Sequence, residues 1–79
     1  MEDYKVARSV DAKGLSCPLP VMRAKKGIGE VAVGEVLEVL STDPGSIPDF
    51  GAWTRATGHT LLKGERQGDV FVFHIQRTK

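Results

Sequence analysis

The sequence predicts an α/β two-layer sandwich in the order β-α-β-α-β-β, a mixed four-stranded sheet with two helices on one face. Three observations carry that prediction. Two apolar, strand-like segments are each followed by a stretch with helical spacing. The last two strand-like runs are separated by a short glycine turn and no helix. Two right-handed βαβ crossovers then place both helices on the same side of the sheet.

Taken in order, Tyr4 to Val10 reads as a strand whose alternation puts Tyr4, Val6 and Val10 on one face. Asp11 to Gly14 turns, and Leu15-Ser16-Cys17 leads to Pro18, suited to the first position of a helix, where a missing N–H costs nothing. Val21, Ala24 and Ile28 follow at helical spacing, with Met22 flanking them and Arg23, Lys25 and Lys26 on the outer side. Gly27 and Gly29 mark the end of that helix. Val36 to Leu40 is nearly all apolar, as a central strand covered on both faces or nearly so should be. Ser41 to Ser46 is a loop rich in capping residues, and Ser46 and Asp49 have the spacing of a capping box, with Pro48 between them. A second helix to about Thr57 would bury Ile47, Phe50 and Thr54, with Trp53 on its flank and Gly58 ending it. Thr60 to Glu65 and Val70 to Gln76 read as strands joined at Gln67-Gly68, and Phe71, Phe73 and Ile75 share one face of the last.

Composition narrows the classes of function. With 79 residues the chain has the size of one domain, residues 1–79, and a core that must be economical. Eleven basic residues against ten acidic ones leave a net charge of +1, which lacks the basic footprint that drives nucleic-acid binding. No apolar run approaches the ~18 residues that span a bilayer, and the opening Met-Glu-Asp-Tyr-Lys does not read as a signal peptide. A single cysteine permits neither an intramolecular disulfide nor a cysteine-cluster zinc site. A reducing compartment, the cytoplasm, is the expected home.

Whatever chemistry the chain has should sit at Cys17. Cys17-Pro18-Leu19-Pro20 places the thiol at the start of the first helix, where free amides and the helix dipole favour a thiolate. Leu19 and Val21 keep the amides able to stabilise sulfur, the prolines stiffen the corner, and Arg23, Lys25 and Lys26 add positive potential. The expected acidity is therefore above that of a free thiol, whose pKa is ~8.5. Against this stands the ordinary role of a free cysteine, a small buried residue in a non-catalytic interaction or regulatory module. The position ahead of a helix, at the carboxyl end of parallel strands, favours the reactive thiol. Asp43 should emerge at the same edge, either capping the second helix or helping to present Cys17; capping is the first reading.

Asp11-Ala-Lys-Gly-Leu-Ser-Cys-Pro-Leu-Pro-Val-Met22 resembles the signature of the TusA/SirA-like sulfur-carrier family, with its Cys-Pro-x-Pro motif. Gly34-Glu35, Thr42-Asp-Pro-Gly-Ser46, Trp53 and Gly58-His59 are similar to that family at matching spacing, so the likeness runs from about Val10 to Ile75. Leu19 stands between the prolines, where tRNA-thiolation members carry an acidic residue. The resemblance implies a sandwich like the C-terminal domain of initiation factor three, with strand order 1-2-4-3. It implies a sulfur-transfer protein, not a turnover enzyme, that carries sulfane sulfur as a persulfide on Cys17, supported by Pro18, Pro20 and Asp43. The donor would be a cysteine desulfurase or rhodanese-like protein and the acceptor another protein, in tRNA thiolation, cofactor synthesis, or sulfur oxidation or assimilation. No cofactor, direct nucleic-acid contact or membrane span is implied.

The remaining candidates read more simply. His59 and His74 are surface or strand histidines before they are bases for Cys17. No His/Asp/Glu cluster has metal-ligand spacing, and Gly27-Ile-Gly29 ends a helix where a phosphate loop would begin one. Trp53 reads as partial core ahead of a docking residue, and Arg23, Lys25 and Lys26 as a solvated face that would suit acidic partners. A thiol oxidoreductase would need a resolving cysteine, which the chain lacks.

Overall fold

β1 (Val6–Ala12), α1 (Leu19–Ile28), β2 (Val36–Ser41), α2 (Ser46–Thr57), β3 (Thr60–Gln67) and β4 (Val70–Gln76) follow one another in the structure, a computed structural model that describes residues 4–79. The sheet order is β1-β2-β4-β3, with β1 parallel to β2 and β4 antiparallel to both β2 and β3. This is the predicted mixed sheet. Both helices pack on one face, over a core of Ala12, Ala24, Ile28, Leu37, Val39, Phe50, Phe71, Phe73 and Ile75. Phe50 of α2 stacks on Phe73 of β4 with ring centres 4.4 Å apart, and Trp53 meets Phe50 edge-on at 6.2 Å. Such aromatic contacts stabilise beyond their buried area. Trp53 is half-buried, the partial core expected of it.

Several local expectations are corrected. β1 starts and ends two residues later than predicted, and its pairing with β2 is irregular between Val6 and Arg8. A shift of one residue flips every preceding side chain to the other face. Tyr4 therefore does not share a face with Val10. Its hydroxyl lies 2.6 Å from Nδ1 of His74, on the helix-free side. His74 is no surface residue: it is 3% exposed, and its Nε2 donates to Glu38 Oε2 at 2.9 Å. β3 runs on to Gln67, and Gln67 pairs with Val70, so the hairpin loop is Gly68-Asp69 with Gly68 at φ 65°.

The helices shift as well. α1 buries Pro20, Ala24, Gly27 and Ile28, so Gly27 is a packing position inside the helix and only Gly29 closes it. A Cβ on Gly27 would lie 2.8 Å from Val10 Cγ2 and 3.2 Å from a Leu37 methyl, which is why the helix approaches the sheet so closely there. Pro18 is the N-cap of α1, not its first helical residue. In α2 the buried residues are Ser46, Phe50 and Thr54, while Ile47 is 50% exposed. Ser46 is buried because its hydroxyl pairs with that of Ser41 at 2.5 Å, so neither polar group is left unsatisfied. The capping box is therefore absent: Gly45 is the N-cap and no side chain caps α2. Gly58 ends α2 as predicted, left-handed at φ 85°, with its amide donating to the Thr54 carbonyl.

Candidate functional site

The parallel pair β1–β2 determines where the site lies. Both strands end at the same sheet edge, and the helix that follows each begins there, so the N-termini of α1 and α2 are neighbours. At that edge the β1–α1 loop turns between Ala12 and Leu15, with the Leu15 amide donating to the Ala12 carbonyl at 3.3 Å and Gly14 at φ 81°. A residue with a Cβ would be strained at that φ.

The β2–α2 loop grips this turn at two points. Thr42 Oγ1 accepts from the Gly14 amide at 2.9 Å, and Asp43 Oδ2 accepts from the Cys17 amide at 2.8 Å. Asp43 is itself fixed. Its amide donates to Ser41 Oγ at 3.1 Å, its carbonyl accepts from the Ser46 amide at 3.0 Å, and its Oδ1 accepts weakly from the Gly45 amide at 3.4 Å. Asp43 does not cap α2, whose N-cap is Gly45 without a side-chain bond; its carboxylate binds the Cys17 amide instead. The buried Ser41–Ser46 pair anchors the gripping loop to the core below.

Cys17 is exposed, so it is not the small buried residue of the alternative reading. Its acidity runs opposite to expectation. The Asp49 carboxylate, which favours the protonated thiol, has the largest influence, followed by lost hydration and then by the charges of Asp49 and Asp43. All push the thiol pKa up from its ordinary value. The helix terminus offers little to oppose them. Pro18 and Pro20 have no N–H, and the Leu19 amide donates to the Ser16 carbonyl at 2.9 Å. Arg23, Lys25 and Lys26 are exposed along α1 and are not among the groups that shift the thiol. Asp49 is the residue that sequence reasoning missed. It was visible only as the second member of a capping box, although its place in the first turn of α2 puts it at the same edge as Cys17.

The other expected residues lie apart. Pro20 is fully buried against the core, whereas Pro18 is exposed. His59 sits beyond the far end of α2, its ring 5.7 Å from that of Trp53 and its Nδ1 accepting from the Thr78 amide at 3.2 Å. His74 belongs to the Tyr4–Glu38 cluster on the helix-free face. Neither histidine bears on the thiol. Among the described residues no group of three or more His, Cys, Asp or Glu is placed to hold a metal ion, and no helix is long and apolar enough to cross a membrane. Leu19 and Met22, early in α1, and Ile47, early in α2, are exposed apolar residues.

Comparison with known proteins agrees with this arrangement. The chain is 44% identical over 71 residues to the sulfur carrier protein TusA of Allochromatium vinosum, a match covering 90% of this chain and 93% of that one. The crystal structure of a SirA-like protein from Desulfitobacterium hafniense superposes with a TM-score of 0.77 at 28% identity, covering 91% of this chain and 99% of that one. The family model described as sulfurtransferase TusA matches residues 8–77, from β1 through the last strand and across the whole of the Cys17 edge, and the chain belongs to that family.

Proposed function

We propose that the protein is a sulfur carrier that accepts sulfane sulfur as a persulfide on Cys17 and passes it to an acceptor protein. The observation that carries this reading is the presentation of the chain's one cysteine: exposed, at a loop–helix corner held by Thr42 and Asp43. An exposed thiol on a fixed backbone suits a group handed between proteins. A single cysteine with no resolving partner suits a carrier over an oxidoreductase.

Loading needs no external oxidant. The Cys17 sulfur attacks the outer sulfur of the donor's persulfide, and a new S–S bond forms as the donor's own S–S bond breaks. The donor sulfur leaves with the bonding electrons and takes up the proton lost from Cys17. Passing the sulfur on repeats the step with Cys17 as the leaving group. The donor would be a cysteine desulfurase or a rhodanese-like protein, and the pathway tRNA thiolation, cofactor synthesis, or sulfur oxidation or assimilation, in the cytoplasm. Residues 1–79 would act as one carrier domain. The exposed Arg23, Lys25 and Lys26 face of α1 and the half-exposed Trp53 would contribute to docking of these partners.

Intact mass spectrometry tests the reading. After incubation with a cysteine desulfurase and cysteine, or with a rhodanese and thiosulfate, wild type should gain one or more sulfur atoms that a reductant removes. Cys17→Ser should gain none, because a hydroxyl is neither anionic near neutral pH nor able to hold a sulfane sulfur. It should still melt as wild type does, since the exposed side chain leaves no cavity. Sulfur uptake by the serine variant would defeat the assignment of Cys17.

A further inference from the structure

The sheet has two open edges, β1 and β3, and they differ in charge. On β3, Lys63 and Glu65 neutralise each other at 3.3 Å. Beside β1 the charges do not cancel. A groove of about 430 Å³ lies between β1 and α1, lined by Arg8, Val10, Arg23, Lys26, Gly27 and Glu30. Glu30 pairs with Arg8 at 3.0 Å, whereas Arg23 and Lys26, both exposed on α1, meet no carboxylate among the described residues. Lys25 does not line the groove. The helix comes this close to the strand because Gly27 has no side chain: a Cβ there would lie 2.8 Å from Val10 Cγ2. On the helix-free side β1 shows Ser9 and Asp11, opposite Glu38 and Leu40 of β2, and no cation.

We infer that the open edge of β1 receives an acidic, extended segment of a partner protein, which adds to the sheet as a fifth strand and sets its carboxylates against Arg23 and Lys26. An added strand would take up the outward amides and carbonyls that an edge strand leaves unpaired. Its side chains would alternate between the two sides of the sheet. Those on the helix side would project over the groove, where three cations face one carboxylate. Those on the other side would meet Ser9 and Asp11, and so be uncharged. A second copy of this chain fits poorly, because it would set a like group of cations against the first. The inference rests on the carrier reading and deepens it. β1 ends at Ala12, on the edge that holds Cys17, so a segment lying along β1 leads the partner's own cysteine towards that edge.

A short capped peptide alternating glutamate with threonine tests this. Its binding should slow hydrogen exchange at alternate amides of β1 and leave those of β3 unchanged. Arg23→Gln combined with Lys26→Gln should weaken binding about tenfold, at roughly threefold for each exposed ion pair, whereas Lys25→Gln should change it less than about twofold. Binding should also fade in ~1 M salt, where the Debye length is ~3 Å. N-methylation of one alternating set of peptide amides should abolish binding and of the other set should not, because only one set faces β1. Protection on β3 or nowhere, equal effects of the two methylated sets, or undiminished binding by the doubly substituted protein would each overturn the inference. So would β1 protection that grows with protein concentration without peptide, which would assign the edge to a second copy. Tighter binding of a short oligothymidylate than of the peptide would overturn it in favour of nucleic acid. None of these readouts involves sulfur, so each result leaves persulfide loading of Cys17 to its own test.

Discussion

Removing the Asp43 carboxylate should separate the geometry of Cys17 from its acidity. In Asp43→Ala the backbone bonds of residue 43 to Ser41 and Ser46 survive, because they need no side chain. What is lost is one charge-assisted hydrogen bond at 2.8 Å to the Cys17 amide and a weak one at 3.4 Å to Gly45. A hydrogen bond to a charged group contributes ~1.5–3 kcal/mol when buried, and the freed amide here can turn to water, so about 1 kcal/mol is expected. For a domain of this length that is a fall in Tm of roughly 4–8 °C, readable by calorimetry. Asp43→Asn keeps a neutral acceptor and should lose about half as much. The two reactivities of Cys17 should then move in opposite directions. Alkylation at neutral pH should speed up, since the Asp43 charge that raises the thiol pKa is gone. Sulfur loading should slow by about tenfold in the alanine variant, because a displacement of even ~1 Å at a reacting group costs up to ~100-fold. Loading at the wild-type rate, in a protein whose melting temperature has dropped as expected, would show that the tether is structural only.

Three further outcomes follow from the packing. Gly27→Ala should destabilise by about 1 kcal/mol, because overpacking against Val10 and Leu37 costs ~1–3 kcal/mol and outweighs the ~1 kcal/mol gain in helix propensity; a urea melt decides the sign. Pro20→Ala should cost about 1–2 kcal/mol by removing buried ring atoms, whereas Pro18→Ala, at an exposed cap, should melt close to wild type. The hydrogen bond from His74 holds the Glu38 pKa below its usual value, so Glu38 stabilises the fold above the ordinary glutamate pKa of ~4.3 and ceases to do so as pH falls through its lowered folded value. Glu38→Gln should accordingly flatten the acid limb of stability against pH in that window, and an acid limb identical to wild type would exclude the pair as its source.

How much of this was legible in the sequence depends on the range of the interaction. Element order and the side on which the helices lie were readable because they follow from local periodicity and the handedness of crossovers, whereas strand order came with the family resemblance. Ser46 and Ile47 show where that failed. By polarity Ile47 should be inside and Ser46 outside, yet the Ser41 hydroxyl, five residues away, satisfies Ser46 and lets it take the core-facing position. Gly27 looked like a terminator because a glycine's meaning depends on what packs over it, here Val10 and Leu37 from two strands. His74 was read as a surface or strand histidine, and its company was out of reach: its partners lie 70 and 36 positions away. Cys17 was found from its own neighbours in sequence, whereas Asp49, the first of the groups that raise its pKa, belongs to the other helix.

The contrast between Cys17 and Asp49 also bears on how the site works. A cysteine at a helix start is ordinarily read as acidified by the free amides of the first turn. Here the prolines that stiffen the corner remove two of those amides, and the Ser16 carbonyl occupies a third. Rigidity is gained at the expense of electrostatic activation, and two carboxylates reverse what remains. For an enzyme that must turn over alone, such a site would be poorly built. For a carrier it is coherent. The same exposure that lets Cys17 reach a partner leaves it open to stray electrophiles and oxidants, whose reactions run through the thiolate. A raised thiol pKa lowers that reactivity between encounters. The clamp by Thr42 and Asp43 then does the one task that cannot wait for a partner, which is to keep the sulfur in place.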